Sequence, residues 1–198
     1  MSEAEKQLLE LIRERAFRLA PPGQPFQLAS GGTSSYYIDG KMIEVFSRSA
    51  YLIGEVLYER TQALSFDAIG GLEVGAVPLA TAAVIAYHHH GREVEGFWVR
   101  DEVKRHGTQK LVEGGVRKGS RVVVVDDVVT EGCSALKAIR AVQDRGCNVV
   151  LVLALVDRLQ GAGARFHAEG VRDYQSIFST RDLGVEDDVP ATTPATAR

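Results

Sequence analysis

The sequence has little cysteine, no long apolar run and no surplus of positive charge, and each shortage removes a class of protein. Its two cysteines, Cys133 and Cys147, fall in a glycine-containing turn and at a strand start. Two thiols are too few for a disulfide scaffold, so free thiols are expected. No apolar stretch reaches the roughly 20 residues needed to cross a bilayer, and the start of the chain, Met1 to Glu10, is charged and helical rather than signal-like. A soluble cytoplasmic protein with no membrane partner is the expectation. With 23 lysines and arginines against 26 acids the net charge is -3, which argues against nucleic-acid binding, since that usually requires a clustered basic surface. Any anionic ligand must then be met by local cations or by backbone amides. Also missing is a Gly-x-Gly-x-x-Gly after the first buried strand, which sets aside a general dinucleotide-binding enzyme.

What remains is a regular alternation of strand and helix signals. The 198 residues, 45% of them hydrophobic, suit one compact domain. Ser2 and Glu5 fit a capping box, and Leu8, Leu9, Ile12, Ala16 and Leu19 recur at helical spacing until Pro21-Pro22 stops the helix. Phe26-Gln-Leu28 and Tyr36-Tyr-Ile38 read as short strands around a small-residue turn, a β hairpin or hood. Helices are expected over 49–62, 76–87 and 135–145, the last with Gly146 past its end, and strands over 67–71, 96–99, 122–125, 149–156 and, at an edge, 174–178. The β-branched run 122–125 suits a strand buried on both faces. Between strands, residues 100–119 carry four glycines and many charges without apolar period, a long loop of the kind that often serves as a lid. The fold expected is α/β, a doubly wound parallel sheet with a small N-terminal hood. Residues 1–184 would form the single domain, with the hood over about 1–45, and 185–198 a disordered tail.

The segment richest in chemistry is Val122-Val-Val-Val-Asp-Asp-Val-Val-Thr-Glu-Gly-Cys-Ser134, a buried strand opening through two acids and a small-residue loop into a helix. Ligands of open α/β sheets sit at the carboxyl ends of strands. The helix start offers unpaired N–H groups and about half a positive charge, so the amides of Glu131 to Ala135, with the hydroxyls of Thr130 and Ser134, can cradle a phosphate. Asp126 and Asp127 would repel that phosphate but suit the two hydroxyls of an attached ribose. A sugar phosphate satisfies both halves. Read apart from the rest, an acid pair at a strand end is equally a helix cap, a basic loop is usually solvated, and Tyr87-His-His-His90 is better taken as surface histidines than as a metal site.

This thirteen-residue pattern resembles the phosphoribosyl pyrophosphate signature of type I phosphoribosyltransferases. Two more segments narrow the resemblance: Phe26 to Asp39 resembles the hood of orotate phosphoribosyltransferases, and Arg100-Asp-Glu-Val-Lys-Arg-His-Gly107 resembles their mobile catalytic loop. Asp157-Arg158 and Tyr174 to Gly184 resemble later landmarks of that family, and the likeness spans about residues 3 to 184. The resemblance implies that Arg100, Lys104 and His106 are catalytic and reach the pyrophosphate. It implies that Asp126, Asp127, Val128, Val129, Thr130, Glu131, Gly132, Cys133 and Ser134 bind phosphoribosyl pyrophosphate, and that Thr130 and Arg158 contact orotate. Cys133 is expected to contribute backbone only. A Mg²⁺ ion held mainly by substrate oxygens and water, with no protein metal site, is implied too. So is a homodimer with shared active sites. The chain departs from the family at Asp101, Ala29, Gly32 and Val74, positions that are often basic there; Lys41, Lys104, Arg105 and Lys110 are the cations that could compensate. A phosphoribosyltransferase for another base stays open, as does a sensor of phosphoribosyl pyrophosphate on the same fold. Such a sensor would usually need a DNA-binding module, and only about 20 residues, expected to form one helix, precede the hood motif that starts at Phe26.

Overall fold

Two runs of branched aliphatic residues build the centre of the molecule. In a computed structural model that describes residues 1–27, 32–102 and 110–185, they form the longest strands of a six-stranded sheet. In chain order the elements are α1 (Glu3–Leu11), β1 (Phe17–Leu19), β2 (Phe26–Gln27), β3 (Thr33–Ser34), β4 (Tyr36–Ile38), α2 (Lys41–Glu44), α3 (Ser47–Thr61), β5 (Ala68–Leu72) and α4 (Ala76–His89). There follow β6 (Glu95–Val99), β7 (Val112–Gly114), β8 (Arg121–Val129), α5 (Cys133–Asp144), β9 (Asn148–Asp157), α6 (Ala162–Ala168) and β10 (Tyr174–Ser179). The sheet order is β10-β9-β8-β5-β6-β7, parallel except for β7.

The pleat sorts the central strands into two cores. Val123 and Val125 pack with α1, α3 and α4, whereas Val122 and Val124 pack with α5 and α6 on the other face. With both faces covered, polar alternation has no place in β8, which is why the run reads as unbroken valine. The expected doubly wound sheet is therefore present. Leaving β5 the chain moves outward to β6, and leaving β8 it moves the other way to β9 and β10. The crevice between the carboxyl ends of β5 and β8 is the topological switch point where such sheets hold ligands.

Several local expectations need correction. The N-terminal helix begins with the expected capping box, Ser2 Oγ accepting from Glu5 N–H at 3.2 Å and Glu5 accepting from Ser2 N–H at 2.9 Å. It then loosens into a π turn at Ile12–Ala16 and gives way to β1 before Leu19. Pairing with β4, Phe17 against Ile38, outweighs the apolar spacing that suggested a longer helix, and Leu19 is exposed. Tyr36–Ile38 accordingly does not pair with Phe26–Gln27, whose partner is β3. The expected loop 100–119 contains β7, a single apolar alternation hidden among charges and glycines. The helices α2 and α6 are too short to show a period and were not expected. Val185, placed in the tail by composition, is buried and its N–H donates to Thr180 at 3.0 Å; residues 186–198 lie outside the described residues. Among the described residues no helix is long and apolar enough to cross a membrane.

Candidate active site

The acid pair closes β8 at the switch point, and the two carboxyls have different surroundings. Asp126 is buried, and burial together with its neighbour Asp127 pushes it well above the usual carboxylate range. Asp127 is wedged between two glycines from different helices. A Cβ on Gly40, at the start of α2, would stand 2.3 Å from Asp127 Oδ2, and one on Gly75, at the start of α4, would stand 2.6 Å from Oδ1. Any larger residue at either position would displace the carboxyl.

Glu44, the last residue of α2, reaches the same spot. It is 4% exposed, and the Cβ built on Gly40 would also lie 2.9 Å from its Oε1. That oxygen receives no hydrogen bond from a described donor, and the group it faces is Asp127. Two carboxyls can share a hydrogen bond only if one keeps its proton. Burial first, and then the charge of Asp127, raise Glu44 to about 8. An acid raised in the folded state binds a proton that the unfolded chain has already lost. The stability this contributes is fully present below about 4.5 and is lost as pH climbs to about 8. The melting temperature of the parent, measured by circular dichroism relative to Glu44→Gln, is therefore expected to fall steadily from about pH 5 to about pH 8. A difference that stays constant over that range would mean that the carboxyl is solvated.

Beyond the acids, the chain turns through Thr130 and Glu131 into α5. Gly132 caps the helix at φ 82, in the left-handed region, and a Cβ there would strike the Phe166 ring at 2.6 Å. No side chain caps α5, and among the described residues the amides of Glu131 to Ala135 donate to no protein acceptor. Five N–H groups at one helix start are thus open to an anion. Ser134 and Cys133 are exposed beside them, and the Cys133 thiol lies 3.6 Å from Arg165 Nη1. Val128 and Val129 differ from the rest of the expected ligand set. They remain in the strand, their side chains pack into the cores, and the Val129 carbonyl already accepts Arg158 N–H at 2.8 Å.

Arg158 completes the crevice from the end of β9. It is only 8% exposed, and no described carboxylate comes within ion-pair distance of it. Its contacts are neutral groups of the hood: Nε donates to Tyr36 Oη at 2.9 Å, Nη2 donates to Ser34 Oγ at 3.1 Å, and the guanidinium lies 4.4 Å from the Tyr36 ring centroid. A buried cation with neutral partners is costly unless an anion joins it.

Residues 41–183 match the phosphoribosyl transferase domain. Over 184 residues the chain is 41% identical to an orotate phosphoribosyltransferase of Corynebacterium glutamicum, spanning 93% of this chain and 96% of that one. The chain belongs to the orotate phosphoribosyltransferase family. Two solved structures of the Mycobacterium tuberculosis orotate phosphoribosyltransferase superpose on it. The one in complex with Fe(III) dicitrate has TM-score 0.79 and 39% identity, and the one in complex with 5-phospho-alpha-D-ribosyl 1-diphosphate has TM-score 0.75 and 37% identity; each covers 92% of this chain and 99% of its own.

Against the orotate phosphoribosyltransferase pattern, the loop base holds the main surprises. Arg100 is anchored, its backbone N–H donating to Leu111 at 2.9 Å, its Nε to Glu113 at 3.2 Å, and its Nη1 lying 3.9 Å from Glu73. Asp101, where a cation is common in the family, forms an ion pair with Lys137 of α5. The charge reversal is thus answered by a cation that no motif pointed to. Val74, another departure, is exposed next to Gly75, and Gly32 is exposed before β3. Lys104, Arg105, His106 and Ala29 lie outside the described residues. Of the remaining compensating cations, Lys41 lies 3.7 Å from Asp39 and Lys110 is exposed. His90 of the histidine run stacks on Tyr58 at 3.8 Å and bonds Glu55 at 3.0 Å. Glu44, Gly40, Gly75, Ser34 and Tyr36 are members of the site for which the sequence offered no role, although Ser34 and Tyr36 stand inside the hood motif.

Proposed function

We propose that the chain transfers the phosphoribosyl group of phosphoribosyl pyrophosphate to orotate, giving orotidine 5'-monophosphate and pyrophosphate, a step of de novo pyrimidine synthesis. Buried Arg158, with neutral partners and its backbone N–H on the carbonyl of Val129, carries this reading. Orotate brings the carboxylate that such a guanidinium requires, whereas a neutral purine or uracil would leave it uncompensated. The amides of Glu131 to Ala135 take the 5'-phosphate, Asp126 and Asp127 accept the ribose hydroxyls, and Arg100, Lys104 and His106 meet the pyrophosphate. As the ring nitrogen of orotate gives up its proton to solvent or to the departing pyrophosphate and bonds to C1 of the ribose, the bond from C1 to the pyrophosphate oxygen breaks and its electron pair leaves with pyrophosphate. Donors aimed at that oxygen act where charge grows.

A Mg²⁺ ion suits this site as a companion of the substrate. Among the described residues no three acids, thiols or imidazoles gather into a cage, and Mg²⁺ commonly keeps its waters and binds through phosphates. Bound with phosphoribosyl pyrophosphate, it would neutralise part of the leaving group's charge. We also place the protein in the cytoplasm, as a homodimer with shared active sites. Tyr51 and Ile85 are exposed on α3 and α4 and line a groove of about 430 Å³ together with Val77, Pro78 and Ala82. Contiguous apolar surface of this kind marks an interface, and twofold dimers are the commonest assembly.

The test is pyrophosphate release with purified protein, Mg²⁺, phosphoribosyl pyrophosphate and one base at a time. Orotate is expected to turn over at least about a hundredfold faster than uracil, hypoxanthine or adenine, because a site built around a buried polar partner rejects analogues that lack it. Faster turnover of any other base would overturn the assignment.

A further inference from the structure

Glu44 is a buried acid whose chemistry the reaction does not use, yet it meets Asp127 over the backbone of Gly40. We propose that Glu44 is a positioning residue of the sugar-phosphate site: as a carboxylic acid it donates its proton to Asp127, holds that carboxylate between Gly40 and Gly75 for the ribose hydroxyls, and keeps a second negative charge away from a polyanionic substrate. The inference rests on Asp127 being a ribose ligand.

The geometry leaves Glu44 little alternative. Its Oε1 is buried and takes no hydrogen bond from a described donor. The charged and titratable groups around it are few. Asp127 faces it from β8, and Asp39 and Lys41 stand on its own turn, where Lys41 is exposed and lies 3.7 Å from Asp39. Tyr51, Glu55 and His89 share the groove between α3 and α4 with it. Arg15, on the π turn packed behind α2, has its guanidinium over the Phe46 ring at 4.0 Å. The first turn of α4 carries no acid. Asp127 is thus the acceptor Glu44 meets most directly, and with Glu44 raised to about 8 the proton is present at neutral pH.

Ionised, Glu44 would place a second full charge beside Asp127, where phosphoribosyl pyrophosphate brings its own. The cost of a like charge at about 5 Å, discounted for screening, amounts to about a tenfold loss of affinity. Calorimetric titration of the full chain with phosphoribosyl pyrophosphate and Mg²⁺ from pH 6.5 to 9 reads this directly. The substrate's own phosphates titrate alike with parent and variant, so the ratio of their dissociation constants reports on the change at Glu44. Glu44→Gln keeps a donor and cannot ionise. Its affinity is expected to overtake the parent's by about tenfold across that range. Glu44→Leu loses the donor too, and is expected to bind at least about fivefold more weakly than Glu44→Gln at every pH. A ratio constant within twofold, or equal binding by the glutamine and leucine variants, would overturn the proposal while leaving the ribose reading intact. Asp127→Asn separates the two: if it binds as tightly as the parent, Asp127 is no ribose ligand and both fall.

Discussion

An Arg158→Gln chain is expected to lose orotate while its hold on phosphoribosyl pyrophosphate changes far less. Removing one member of a buried charge pair typically costs about 2–5 kcal/mol, so orotate affinity would fall roughly thirtyfold to several-thousandfold. In the proposed site the sugar phosphate sits on other elements, the helix start and the end of β8, and should feel the change only through the hood. That indirect cost is bounded, because Tyr36 Oη and Ser34 Oγ each lose a bond to a cation, a matter of about 1–3 kcal/mol apiece. Thermal unfolding followed by circular dichroism would register it separately. Arg158→Lys keeps the charge but not the planar fork, and is expected to recover only part of the affinity. Orotate bound equally well by the glutamine variant and the parent would remove Arg158 from the base pocket, and with it the observation on which the choice of base rests.

The second large effect concerns Lys104. Lys104→Ala is expected to lower turnover by about a hundred- to a thousandfold with a much smaller change in orotate binding, since the contact proposed for it would strengthen as the leaving group gains charge. The proposed dimer adds a sharper outcome. If the loop of one subunit serves the phosphate cradle of the other, a Lys104→Ala chain and an Asp127→Asn chain rescue one another. A mixed dimer then has one site with both defects and one with neither. Random reassortment of equal amounts makes about half the dimers mixed and restores about a quarter of the parent's sites. Activity would rise well above that of either variant alone after subunit exchange, which a mass tag can follow. Activity that stays at the average of the two would mean that each site is built from one chain.

How much of this could be read from residues varies with how local the cause is. β8 and β9 were legible because burial on both faces removes polar residues altogether, and the open start of α5 was legible because a left-handed turn at Gly132 and an uncapped helix require small residues in sequence order. The role proposed for Arg158 came through resemblance alone. Its partners Tyr36 and Ser34 stand 122 and 124 residues away, and no local pattern links them. Glu44 is a lone acid in a four-residue helix, and only the fold lays it against Asp127. Lys137 is one charge on an exposed helix until Asp101 is seen beside it. Leu19 misled in the opposite direction, since its apolar spacing continued the helix while strand pairing had already claimed the backbone.

The antiparallel turn-back of β7 along β6 has an evolutionary consequence. Val99 pairs with Val112, and Arg100 N–H bonds Leu111, so the excursion between them leaves and rejoins the sheet at neighbouring points held by the ladder itself. Its ends are closed whatever lies between, and doubling the length of such an excursion adds only about 0.6 kcal/mol of closure entropy. Insertions and deletions there would leave the sheet and the phosphate cradle in register. Selection can therefore revise the length and charge of this segment, including the exchange of a cation for Asp101, without renegotiating the core.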